Sequence, residues 1–71
     1  MGASTALKKI LIDKGLTQTA LAEQMDKPRQ TVFNTFHKDQ MLVSTAMEYG
    51  KALGCTLCYI DDETGERYKI T

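Results

Sequence analysis

The stretch from Leu16 to Phe36, LTQTALAEQMDKPRQTVFNTF, narrows the possible folds of this chain more than any other. Leu21, Ala22 and Met25 recur at the spacing of one helix face, over a length that allows only about two turns. Thr17 stands just ahead, where its side-chain oxygen can accept a bond from the unpaired N–H groups of a first turn. Asp26 and Lys27 interrupt the pattern, and Pro28 follows where a further helix would have its first turn, a place at which the missing N–H costs nothing. Val32 and Phe36, four apart, then give that helix an inward face. The spacing predicts two short helices joined by a tight turn, with Arg29, Gln30, Phe33 and Asn34 turned away from the core. A pair of helices this short cannot bury enough apolar surface alone, so the remaining residues must complete its core.

The flanking segments carry the material for this. From Thr5 to Lys14 the apolar Leu7, Ile10 and Leu11 form an amphipathic stripe, with Ser4 or Thr5 as the expected cap and Gly15 as its end. Ile12 lies off that stripe. After the polar run His37-Lys38-Asp39-Gln40, Thr45 and Glu48 match a capping box, which predicts a fourth helix with Ala46, Tyr49, Ala52 and Leu53 inward and Gly54 at its end. Gly50 inside that helix implies a close contact that needs the space. Beyond Gly54 the period changes from helical to alternating. The runs Thr56–Ile60 and Arg67–Ile70, rich in β-branched and aromatic residues, flank Asp61-Asp62-Glu63-Thr64-Gly65-Glu66. They read as a β-hairpin with Gly65 at positive φ.

Seventy-one residues fit one domain, here a helical part over 1–54 and a hairpin over 55–71. A core of this size supplies about 3–5 kcal/mol, and a lone hairpin is marginal in water, so shared burial with a second copy is expected. The formal net charge is zero, which argues against binding nucleic acid through bulk charge alone. Its distribution is uneven. Residues 1–54 hold seven Lys/Arg against five Asp/Glu, and residues 55–71 hold two against four. No apolar run approaches the roughly 20 residues of a membrane span, and no charged-then-apolar leader opens the chain, so a cytoplasmic protein is expected. Cys55 and Cys58 form one C-T-L-C without a further ligand pair, so they read as small apolar strand residues on opposite faces; no metal or cofactor is expected. No Ser/His/Asp, Cys/His or paired-carboxylate arrangement emerges, so an enzyme is not expected. His37 reads as a helix C-terminal cap favoured by the dipole.

The polar residues at the start and outer face of the third helix suit the major groove of DNA. Arginine bonds guanine bidentately, glutamine and asparagine bond adenine, and an apolar side chain meets a thymine methyl. The motif G-L-T-Q-x-x-L-A-x-x-M-x-x-x-x-x-T-V from Gly15 to Val32, with Ala52-Leu53-Gly54 further on, resembles the helix-turn-helix of the lambda-repressor/Cro-type (XRE) family. The resemblance covers about Leu7 to Leu57. It implies a mainly α, four-helix lambda-repressor-like DNA-binding domain, here followed by a C-terminal two-stranded β-hairpin in place of the usual fifth helix.

The same resemblance implies a cytoplasmic, homodimeric regulator of transcription, bacterial or phage, acting as a repressor or antitoxin on double-stranded DNA. By position, Arg29, Gln30, Phe33 and Asn34 would meet bases, while Gln18, Lys27, Thr31 and Lys38 would meet phosphates. Asp26 departs from the family at a turn position normally held by Gly, and Lys38 stands near a second. Leu57, Tyr59, Tyr68 and Ile70 are the expected dimerisation residues, by analogy with family members whose C-terminal strand pairs across a dimer. The alternative reading is a protein-binding adaptor that keeps the helix-turn-helix as scaffold and recruits a toxin or other protein along the hairpin edge.

Overall fold

The structure, a computed structural model, describes residues 2–38 and 40–71. Four helices, α1 (Ala3–Asp13), α2 (Gln18–Gln24), α3 (Arg29–His37) and α4 (Val43–Ala52), are followed by strands β1 (Cys58–Ile60) and β2 (Arg67–Lys69). One cluster of buried side chains holds the helices together. Leu7 and Leu11 come from α1, Leu21 and Ala22 from α2, Val32 and Phe36 from α3, and Tyr49 and Leu53 from α4 and its end. Full burial of a side chain of the Val, Leu or Phe size contributes about 1.5–3 kcal/mol. Phe36 and Tyr49 meet edge to face with ring centres 5.7 Å apart, and the Tyr49 hydroxyl donates to Thr35 Oγ1 at 3.3 Å, so the one polar tip in this contact is satisfied.

Three of the helices end in the same way. In α1 the Gly15 N–H reaches the Ile12 carbonyl and the Leu16 N–H the Leu11 carbonyl; in α2 the pairs are Asp26 to Glu23 and Lys27 to Ala22; in α4 they are Gly54 to Lys51 and Cys55 to Gly50. This is the Schellman arrangement, which requires a left-handed residue just past the helix. Glycine fills that place after α1 and α4, at φ +68° and +73°, and Asp26 fills it after α2 at φ +56°. The tight turn between α2 and α3 is therefore built by backbone bonds, with Thr17 capping the other end of α2 by accepting from the Ala20 N–H at 3.0 Å.

Two helix starts differ from expectation. The first helix begins at Ala3 with Gly2 as its cap, and Ser4 is a buried residue of the first turn whose hydroxyl donates to the Lys38 carbonyl at 2.9 Å. Ser4 thus ties α1 to the segment leaving α3, which is why it does not cap its own helix. The fourth helix begins at Val43, two residues before the expected cap. The carbonyl of Leu42 already receives the N–H of the buried Ala46, so Thr45 is helical and cannot form a capping box with Glu48. Pro28 is the residue immediately before α3, one place earlier than expected, and its carbonyl accepts from Thr31 and Val32. The space at Gly50 is not filled by another helix: a Cβ there would meet the Cys55 carbonyl oxygen at 3.5 Å, an ordinary contact.

The hairpin pairs Cys58 with Lys69, Tyr59 with Tyr68 and Ile60 with Arg67, and the Ile70 N–H bonds the Leu57 carbonyl one pair further out. Asp61 organises the turn, its side chain accepting from Glu63 and Thr64 N–H groups, and Gly65 takes φ +77° as expected. Every residue from Tyr59 to Lys69 is exposed, so the hairpin stands off the helices, in a molecule measuring 40 × 23 × 21 Å.

Candidate nucleic-acid interface

Because Val32 and Phe36 are held in the core, the helical period turns the rest of α3 outward. Arg29, Gln30, Thr31 and Asn34 are exposed, and Phe33 is 38 % exposed in spite of its size. Gln30, Phe33 and Asn34 lie on one stripe, at i, i+3 and i+4. That stripe lines an open hollow together with Thr17, Gln18 and Thr19 at the start of α2, Lys8 of α1, and Phe36 and His37 of α3. Among the described residues no carboxylate lines it. Gln30 Nε2 donates to Asn34 Oδ1 at 2.9 Å, so two of the residues expected to meet bases are coupled to each other.

The expected site residues divide into three groups. Gln18, Gln30, Phe33 and Asn34 share the hollow. Arg29 and Thr31 lie in the first turn of α3, and Arg29 makes no side-chain hydrogen bond or ion pair among the described residues. Lys27 and Lys38 are not among the residues that line the hollow. The ammonium of Lys27 lies 3.5 Å from the Glu48 carboxylate, and the backbone of Lys38 is held by Ser4 while its side chain stays exposed. An exposed pair such as Lys27–Glu48 contributes at most about 1 kcal/mol, so a phosphate can compete for the lysine. The places of Lys8 and His37 in the lining of the hollow, and the brace from Ser4, were not expected from the sequence. Nothing in the local pattern of α1 reveals that its polar face borders α3.

The hairpin residues also sort by face. The register places Leu57, Tyr59, Tyr68 and Ile70 together on one side and Cys58, Ile60, Arg67 and Lys69 on the other. Leu57 and Ile70 are half-buried and, with Met47, Glu48 and Lys51 of α4, line a second hollow at the root of the hairpin. Tyr59 and Tyr68 project beyond it, 73 % and 57 % exposed. The two cysteines do not occupy opposite faces of one strand, because β1 begins only at Cys58; Cys55 still belongs to the turn after α4 and packs against the core. Both are free thiols. Among the described residues no helix is long and apolar enough to cross a membrane.

Compared with protein-family models, curated proteins and solved structures, the chain matches none.

Proposed function

We propose that α2 and α3 act as a helix-turn-helix of the lambda-repressor/Cro type, with α3 lying in the major groove of double-stranded DNA, and that the protein regulates transcription as a homodimer. The observation that carries this is the outward face of α3: Arg29, Gln30, Phe33 and Asn34 are exposed on a short helix that follows a backbone-fixed turn, beside a hollow that no carboxylate lines among the described residues. The exposed Arg29 guanidinium, unpaired among the described residues, suits guanine, the Gln30 amide suits adenine, and Phe33 meets a thymine methyl. Gln18, Thr31, Lys27 and Lys38 supply phosphate contacts that set register and carry no sequence information. The second copy is held through Leu57, Tyr59, Tyr68 and Ile70, whose common face supports the pairing.

Selection of bound duplexes from a random library tests this reading. A palindrome with half-sites about 34 Å apart, one turn of duplex, is the expected result. Enrichment of no sequence would overturn it. The adaptor reading draws on a different observation, the two open edges of a hairpin that stands clear of the helices. It predicts a chain indifferent to DNA whose partner protein protects the amides of residues 57–60 or 67–70 from hydrogen exchange.

A further inference from the structure

The bond between Gln30 and Asn34 limits which base α3 can accept. A glutamine amide carries two N–H donors and one oxygen acceptor. The bond from Gln30 Nε2 to Asn34 Oδ1, 2.9 Å long and spanning one helical turn between two exposed side chains, occupies one of those donors. What Gln30 has left is one donor and one acceptor. In the major groove adenine offers the complement, the N7 acceptor and the N6 amino donor, whereas guanine offers two acceptors, N7 and O6. An amide free to rotate can turn its NH₂ toward guanine; one held by Asn34 keeps its oxygen facing out beside its remaining N–H.

Resting on the DNA-binding reading above, we infer that Gln30 is the adenine-reading residue of α3 and that Asn34 is a positioning residue for it, acting through Gln30 and not through a base of its own. Position supports this division. Gln30 is the second residue of α3, and it is the N-terminal residues of a recognition helix that reach base edges. Asn34 lies a turn further along with a shorter side chain. Val32 and Phe36 hold the buried side of α3, so substitutions at 30 and 34 leave the core intact.

The test is duplex selection repeated on the full chain with Gln30→Ala, Asn34→Ala, the double variant Gln30→Ala/Asn34→Ala, and Asn34→Asp. The wild-type chain should enrich adenine at one position of each half-site, by roughly 5- to 150-fold over other bases, the range that one bidentate pair supplies. Gln30→Ala and Asn34→Ala should each lose preference at that same position, and the double variant should lose no more there than either single one. Asn34→Asp still presents an oxygen to Gln30 Nε2 and should keep adenine at the position while binding all sequences more weakly, through repulsion of the phosphates. Loss at two different base positions, or a base other than adenine at the shared one, would overturn the inference while leaving DNA binding standing. Enrichment of no sequence by the wild-type chain would remove both together.

Discussion

Asp26 sits at φ +56°, where the two equivalent turns of the molecule use glycine. A side chain in the left-handed region costs roughly 1–2 kcal/mol for most residues and less for Asp or Asn. Asp26→Gly removes that cost but adds backbone freedom to the unfolded chain, which takes back about 0.5–1 kcal/mol, so a gain of at most about 1 kcal/mol is expected. For a domain this small each kcal/mol moves the melting temperature by about 4–8 °C, which thermal unfolding resolves. The same substitution should leave base preference unchanged, because the turn is made by the N–H groups of Asp26 and Lys27, which glycine keeps. Just beyond the turn residue, Lys27 and Arg29 separate affinity from specificity. Arg29→Ala should lose base preference at one position at a cost of about 1–3 kcal/mol. Lys27→Ala should weaken binding to all sequences alike and reduce the slope of log affinity against log salt by about 1. A Lys27→Ala protein with unchanged salt dependence would mean that this lysine stays with Glu48 in the complex.

At the scale of elements, α4 offers a clean measurement. Gly50 is buried in a helix interior, yet among the described residues a Cβ there finds only the Cys55 carbonyl oxygen, at 3.5 Å. Gly50→Ala should therefore stabilise the chain by about 0.5–1 kcal/mol through helix propensity. A loss of stability in chemical denaturation would show that the turn after α4 cannot hold its place beside a methyl group. The elements differ in how far their sequence exposes them. The turn between α2 and α3 was legible because Thr17, the apolar spacing and Pro28 are all local signals, and the hairpin because Gly65 and the β-branched runs are too. The starts of α1 and α4 were not. Ser4 and Thr45 look like caps, but the Ser4 hydroxyl is taken by the distant Lys38 carbonyl, and Thr45 lies inside a helix that already begins at Val43. For the same reason the outward stripe of α3 could be named in advance, while its neighbour Lys8, the coupling of Gln30 to Asn34 and the pairing of Lys27 with Glu48 depend on how helices and rotamers meet. Gln24 is a further case: though exposed, its amide donates to the Ala52 carbonyl and ties α2 to the end of α4.

For the whole molecule, the central question is what covers the hairpin. Two three-residue strands paired only with each other are marginal in water, and Tyr59 and Tyr68, opposite one another, expose most of their surface on the face they share with Leu57 and Ile70. Burying one aromatic side chain contributes about 1.5–3 kcal/mol, so a two-fold contact that covers both tyrosines of each copy offsets much of the cost of association. An isologous contact of this kind also suits a palindromic site, since the symmetry of the operator must mirror that of the protein. Two consequences are expected of the wild-type chain: dimeric mass in analytical ultracentrifugation at micromolar concentration, and a melting temperature that rises with concentration. Tyr59→Ser/Tyr68→Ser should abolish both while leaving the helical core folded, because neither side chain belongs to the buried cluster. Its monomers should bind a single half-site with the same base preference and far lower affinity, since the two reading heads then bind independently. A wild-type chain that stays monomeric and melts at one temperature at every concentration would exclude the dimer and leave the open hairpin edges for another protein.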